Sequence, residues 1–144
     1  MMGSKSDGER MAPALGILAE FEVEASEHVM SAHRTPDVVA AFARRARNDG
    51  YGVLICGAGM AAHLAGAVAG NTTLPVIGVP LSGSALTGVD ALYATVQMPR
   101  GIPVATVAID GAANAALLAV EILAVSDAGL ADRLAAYRKQ WTVS

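Results

Sequence analysis

The chain has a single cysteine, Cys56, so it cannot build an internal disulfide framework. A lone thiol fits a reducing compartment, and the expected location is the cytoplasm. Lying within the apolar stretch YGVLICGAG (51–59), Cys56 reads as a buried, inert thiol and not as a nucleophile. Aromatic residues make up only 4% of the chain and charged residues 16%, with a net charge of −3. There is no cluster of Lys and Arg to follow a phosphodiester backbone, so a nucleic-acid partner is not expected. Gly, His, Asn, Asp and Pro interrupt every apolar run before it reaches the roughly 18 residues of a membrane span. The first residues do not resemble a signal peptide, and no membrane partner is expected. Three separated histidines and one buried thiol have no metal-ligand spacing, so no metal site is expected. The chain also lacks a Walker loop, which argues against ATP hydrolysis.

Small and aliphatic residues are abundant. Of 144 residues, 53% are hydrophobic and 15 are glycine, enough for one domain whose elements are buried on more than one face. So much apolar surface on a small chain also points to self-association. The stretches VLICGAG (53–59), LPVIGVPLSG (74–83) and VATVAID (104–110) have the length and β-branched content of strands. Their hydrophobicity is continuous, as in a parallel sheet covered on both faces. Helix-like pieces alternate with them at 8–20, 36–48, 60–70, 85–96 and 112–125. The more alternating FEVEASEH (21–28) reads as an outer strand leading into Val29 and Met30. This order predicts an α/β fold, a three-layer α/β/α sandwich around a central parallel sheet, flavodoxin- or Rossmann-like.

The expected organisation is an α/β catalytic domain over 1–125 and a C-terminal amphipathic helix within 126–144. Leu130, Leu134 and Tyr137 share one face of that helix, which packs on its own domain or, the preferred reading, on a neighbouring subunit. Gly3–Ser–Lys–Ser–Asp looks like the turn after a first strand, yet almost none of that strand precedes it. The expectation is a chain that begins inside the strand or lacks its natural start.

In such a sheet, ligands bind beyond the carboxyl ends of the strands. GSKSD (3–7), SAHRTP (31–36) and GAGMAAHLAG (57–66) fall there, with PLSGS (80–84) as a fourth candidate. GSKSD offers a glycine turn, hydroxyls including Ser4, and free amides at a helix start, which suit an anion such as phosphate. Asp7 reads either as an acceptor for ribose hydroxyls or as an N-cap. In SAHRTP, Pro36 fits the first turn of a helix with Thr35 as its cap, leaving Ser31, His33 and Arg34 in the loop. Arg34 brings a planar fork suited to phosphate, and His33 can exchange a proton near neutral pH. The alternative is a surface ion pair for Arg34 and a backbone hydrogen bond for His33. Gly57, Gly59 and Ala62 match the G-x-G-x-x-A form of a dinucleotide fingerprint. No acidic residue follows about 20 positions on to hold a ribose, so the cofactor reading weakens. What remains is a glycine loop that lets a flat ligand approach the backbone, with His63 either lining that site or supporting packing. His28, beside Glu27, reads as a solvated strand-end residue.

Taken together and in order, GSKSD, SAHRTPD, GAGxAAHLxG, LPVIGVP, LTGVDALYATVQMPRGIPVAT and NAALLAVEIL resemble the N5-carboxyaminoimidazole ribonucleotide mutase family across residues 2–141. The resemblance implies an isomerase of purine biosynthesis that moves a carboxylate from the exocyclic nitrogen of an aminoimidazole ribonucleotide to ring carbon 4. It implies no metal, nucleoside triphosphate or organic cofactor. His33 is the proton carrier by this resemblance. Ser4, Ser31 and Arg34 hold the phosphate and Asp7 the ribose. The backbone of Ala58 and Gly59, with the His63 loop, walls a pocket for CO2. It also implies a homo-octamer with sites near subunit contacts.

A related class carboxylates aminoimidazole ribonucleotide directly with CO2. That class typically carries lysine where Arg34 stands and lacks the AAHL loop. A non-catalytic nucleotide- or flavin-binding module is the reading that fold alone permits. The chain departs from the family pattern at three positions: Gly8 stands where tryptophan is common, Met60 replaces a second glycine, and Ala65 replaces the proline of HLPG.

Overall fold

The computed structural model describes residues 1–141. Three parallel strands, β1 (Leu54–Gly59), β2 (Val76–Leu81) and β3 (Ala105–Thr106), lie in the order β1-β2-β3. Beyond β1 the sheet continues as single parallel bridges, with Met2 paired to Gly57 on one side and to Val29 on the other. Counted along the chain, the five parallel segments stand in the order 2-1-3-4-5. That is the flavodoxin-like winding, and its order reverses between the Met2 segment and β1.

The helices are α1 (Gly8–Glu20), α2 (Pro36–Arg45), α3 (Leu64–Ala69), α4 (Val89–Val96), α5 (Ala112–Ala124) and α6 (Ala128–Arg138). They cover both faces of the sheet. Ile77, Val79 and Leu81 of β2 pack into a core with α1 and α5, while Val76 joins Leu54, Cys56 and α2 and α3 in a second core. This alternation is the two-residue period of a strand buried on both sides, and all six β2 residues are buried. Cys56 lies in the second core, where burial pushes its thiol up to about 11 and keeps it inert. Among the described residues, no helix is long and apolar enough to cross a membrane.

The expected elements recur with shifted ends. The third expected strand, 104–110, shrinks to Ala105–Thr106, and Pro80 explains why. Val107 N–H still reaches the Gly78 carbonyl at 3.1 Å, but Pro80 has no N–H to return to the next carbonyl. The ladder then slips, and the Pro80 carbonyl takes Asp110 N–H at 2.9 Å instead. The helix expected from residue 60 begins at Leu64, because Met60 adopts a left-handed φ of 56° that no helix continues through. Likewise α4 starts only after Gly88, at φ 91°, where a side chain would meet Ile109. Residues 23–28 form no regular element, and of the expected outer strand only Val29 pairs, as a single bridge.

In α6, Leu130 is buried in the first core, Leu134 and Tyr137 pack against it, and the Tyr137 ring meets Phe21 at 5.2 Å. The last three residues of the expected C-terminal segment lie outside the described residues. His28, expected to be solvated, is half-buried. Its ring stacks on Phe42 at 4.6 Å, and Nε2 lies 2.9 Å from Ser26 Oγ.

Candidate active site

Three loops meet where the strand order reverses: the one leaving Met2, the one leaving Met30, and the one leaving β1. They enclose a cavity of about 600 Å³. The eight residues that the family resemblance assigns to the site all line it, whereas Gly57 and Ala62 of the fingerprint-like stretch do not. Ser4 and Asp7 come from the first loop, Ser31, His33 and Arg34 from the second, and Ala58, Gly59 and His63 from the third. Gly83 adds the edge of the β2 loop.

The first loop is a single 3-10 turn, Lys5–Asp7, closed by a reciprocal capping box. Ser4 Oγ accepts the Ser6 N–H at 3.3 Å and the Ser6 hydroxyl at 2.9 Å, while Asp7 Oδ2 accepts the Ser4 N–H at 3.0 Å. Asp7 thus caps backwards onto its own loop and makes no side-chain cap on α1. The positive end of α1 is left to face the cavity. Burial raises the Asp7 carboxyl above its ordinary value, opposed by the Ser4 N–H and by the charges of Arg10 and Arg34.

The second loop is pinned at Ser31. Its carbonyl accepts the Thr35 N–H at 2.9 Å and the Thr35 hydroxyl at 3.1 Å, and its Oγ accepts the Arg34 N–H at 3.2 Å. Thr35 occupies the N-cap position of α2 but gives that helix no side-chain bond, because its hydroxyl is engaged with Ser31. Ser4 Oγ and Ser31 Oγ both act as acceptors here, so each keeps its own proton to donate to an anion. Arg34 reaches across and donates from Nη2 to the Gly3 carbonyl at 3.0 Å, tying the second loop to the first.

The third loop carries His63 just ahead of α3. His63 Nδ1 lies 2.8 Å from His33 Nε2, with the two rings edge-on at 70°. Both rings are exposed to the cavity. The glycines of this loop answer to packing. A Cβ on Gly57 would stand 2.3 Å from Met11 Sδ, and one on Gly59 would stand 3.2 Å from the Leu81 carbonyl. They belong to β1 itself, unlike the turn glycines of a dinucleotide fingerprint.

One departure from the family pattern, Ala65, has a local explanation, and Met60 stands where nothing in its packing calls for a side chain. Ala65 is buried against β2, its Cβ 3.4 Å from where a Cβ on Gly78 would stand, so it fills a close helix–strand contact. Met60 is 62% exposed at the cavity rim.

Arg10 escaped the sequence reading. It lines the cavity and lies 3.7 Å from Asp110, which also accepts the Ser82 N–H at 2.9 Å and the Ser82 hydroxyl. Its signal was available: Arg10 follows Asp7 by one helical turn and therefore shares its face.

A parallel doubly wound sheet with an anion-receptive helix start and a histidine pair at its switch point defines a small-ligand α/β enzyme fold. The chain belongs to the AIR carboxylase family, which it matches over residues 1–143. It is 54% identical to the N5-carboxyaminoimidazole ribonucleotide mutase of Haemophilus influenzae over 144 residues, 99% of this chain and 88% of that protein. The Escherichia coli K12 protein of the same name is also 54% identical over 144 residues, with 99% of this chain and 85% of that protein covered. Among solved structures, Treponema denticola PurE superposes with a TM-score of 0.85 at 30% identity, covering 96% of this chain and 87% of that one.

Proposed function

We propose that this protein is an isomerase of purine biosynthesis that converts N5-carboxyaminoimidazole ribonucleotide to 4-carboxy-5-aminoimidazole ribonucleotide. The observation that carries the catalytic reading is the 2.8 Å contact between His33 and His63 inside a cavity also lined by Ser4, Ser31 and Arg34. The ribonucleotide phosphate sits between the start of α1, Ser4, Ser31 and the free edge of Arg34. Asp7 accepts from the ribose hydroxyls.

This pose leaves the imidazole ring of the substrate toward His33 and the backbone of Ala58 and Gly59. His33 gives a proton to the exocyclic nitrogen as the carbon–nitrogen bond breaks and CO2 departs. CO2 held against the β1 loop is attacked by ring carbon 4, forming the new carbon–carbon bond. The neutral His33 then removes the carbon 4 proton and restores the aromatic ring. Holding CO2 keeps the recombination effectively intramolecular. His63, bonded to His33, orients the imidazole and offers a second station for the proton. No step calls on a metal or an organic cofactor.

The protein acts as a cytoplasmic homo-oligomer, an octamer by family resemblance. Val89, Tyr93 and Val96 support assembly: they are exposed and spaced as one helical stripe along α4, with Leu86 exposed in the turn just before it. The outward side of α6 is a second contact for a neighbouring subunit.

An assay of the purified protein tests the reading. Incubation with the carbamate substrate, without added bicarbonate, should form the carbon 4 carboxylate. Product only from aminoimidazole ribonucleotide plus bicarbonate would make it a direct carboxylase instead. No product under either condition would leave a binding protein.

A further inference from the structure

Arg10 lines the cavity yet takes no part in the proposed steps. It stands in the first turn of α1, whose Met11 and Ala14 share the first core with Ala112 and Ala115 of α5. This packing sets Asp110, two residues ahead of α5, beside it, and Arg10 Nε lies 3.7 Å from Asp110 Oδ1. That distance makes an ion pair but exceeds hydrogen-bonding reach. The two side chains are 40% and 38% exposed, so the pair is weak and exchangeable.

Asp110 is fixed by other bonds. Its Oδ1 accepts the Ser82 N–H at 2.9 Å, its Oδ2 accepts the Ser82 hydroxyl, and its own N–H donates to the Pro80 carbonyl at 2.9 Å. They hold it at a left-handed φ of 55°, which a residue with a Cβ rarely adopts. A carboxylate pinned in a strained conformation gives the Arg10 side chain a defined resting place at the cavity wall.

That place is on the β2 side of the site. Ser82 follows Leu81, which pairs with Gly59, and Gly83 lines the cavity together with Gly59. Arg34 is anchored on the other side, at the carbonyl of Gly3 just after Met2. Met2 bridges to β1 and β1 pairs with β2, so Gly3 and Ser82 continue segments two ladder spacings apart, about 9–10 Å. Burial dominates the Asp7 carboxyl, but the charges of Arg10 and Arg34 both reach it. The cavity thus holds two separate cations, with the proposed ribose acceptor in the field of each.

Two cations set apart suit a ligand with two separated anions. One anion is the phosphate given to Arg34. The substrate and product of the proposed reaction each carry a second, the carboxylate that moves from the exocyclic nitrogen to ring carbon 4. On the isomerase reading, on which this rests, we propose that Arg10 is the ligand of that carboxylate and exchanges Asp110 for it. The planar guanidinium takes both carboxylate oxygens. Arg10 stays protonated and forms no covalent bond. When the carbon–nitrogen bond breaks, the carboxylate becomes neutral CO2 and the pair is lost. When the bond to carbon 4 forms, negative charge returns to the same oxygens and the pair is restored. Arg10 thereby favours both carboxylated ribonucleotides over aminoimidazole ribonucleotide and free CO2. Asp110 is a positioning residue that keeps the cation at the wall.

The test is calorimetric titration of the full chain with two ligands that differ only in the carboxylate, 4-carboxy-5-aminoimidazole ribonucleotide and aminoimidazole ribonucleotide. The parent chain should prefer the carboxylated ligand by at least about tenfold. Arg10→Gln should lose about ten- to hundredfold in affinity for that ligand and bind aminoimidazole ribonucleotide within about twofold of the parent, which also shows that it is folded. Arg10→Lys should recover part of the preference, since it restores the charge without the fork. An equal loss for both ligands would overturn the proposal and assign Arg10 to the phosphate or to the fold. No loss for either ligand, or a parent without preference, would overturn it as well. A parent that binds neither ribonucleotide would sink the isomerase reading itself, and this inference with it.

Discussion

His33 Nε2 and His63 Nδ1 stand 2.8 Å apart although 30 residues separate them in the chain. A bond between two ring nitrogens needs one N–H and one lone pair, so the pair carries a shared proton between two loops of the same cavity. His33→Asn should lower turnover by at least about 10²-fold while ribonucleotide affinity changes little. His63→Asn should lower turnover less, because the proton carrier remains and only its orientation and second station are lost. Single-turnover kinetics beside equilibrium binding would separate the two effects. Full activity in the His33 variant would end the proton-shuttle assignment.

Arg34 holds the Gly3 carbonyl with one guanidinium nitrogen and leaves the rest of its fork to the cavity. Its removal takes away a charged donor and also unties the first loop from the second. Arg34→Ala should weaken ribonucleotide binding about ten- to hundredfold, as expected for a charge-assisted hydrogen bond. Arg34→Lys should recover only part of this, since an ammonium cannot span both partners. Unchanged affinity by calorimetry in Arg34→Ala would count against the phosphate role.

Much of this arrangement was legible in the sequence because local signals and long-range placement agreed. Continuous hydrophobicity marked β2, and glycine- and serine-rich ends marked the loops beyond the strands. Other features depended on contacts that no local pattern carries. The shortening of β3 follows from the missing N–H of Pro80, a residue on the neighbouring strand. The backward cap of Asp7 follows from the tightness of a 3-10 turn, and the pairing of His33 with His63 from the reversed strand order. Arg10 went unseen because its helical phase relative to Asp7 matters only once α1 is known to point at the cavity.

Asp7 gives a prediction with a definite sign. Burial raises its carboxyl above the ordinary value, so the folded chain binds more protons than the unfolded chain across that window. The stability this contributes is present below the unfolded value and is lost as pH rises through the folded one. Ionised Asp7 is therefore a cost near neutral pH. Asp7→Asn keeps an acceptor for the Ser4 N–H and should raise the melting temperature at about pH 7, with the difference closing below about pH 4. It should also weaken ribonucleotide binding. A variant less stable than the parent at neutral pH would show that the carboxylate's hydrogen bond outweighs its desolvation.

The α4 stripe tests assembly apart from chemistry. Tyr93 is 62% exposed between Val89 and Val96. Tyr93→Lys puts a charge into the stripe without touching the buried side of α4, where Ala91 and Thr95 pack. Analytical ultracentrifugation should show a shift toward smaller species, with the monomer's helical content unchanged. An identical sedimentation profile would move the subunit contact elsewhere.

Met60 remains the departure with the clearest physical cost. It holds a left-handed φ of 56° with its side chain 62% exposed, so it accepts backbone strain with little burial in return. For a residue with a Cβ that conformation costs roughly 1–2 kcal/mol, part of which glycine gives back as unfolded-state entropy. Met60→Gly should therefore leave stability unchanged or raise it by up to about 1 kcal/mol, read as the urea midpoint. Its effect on turnover depends on the side chain alone. Met60 lines the rim beside Ala58, Gly59 and His63, so truncation widens the space that the proposed mechanism assigns to CO2. If the thioether closes that space, Met60→Gly should release more CO2 to solution per turnover, measured by loss of labelled carboxylate from the product. Equal retention of label would assign Met60 to the outer rim, clear of the reacting carbon.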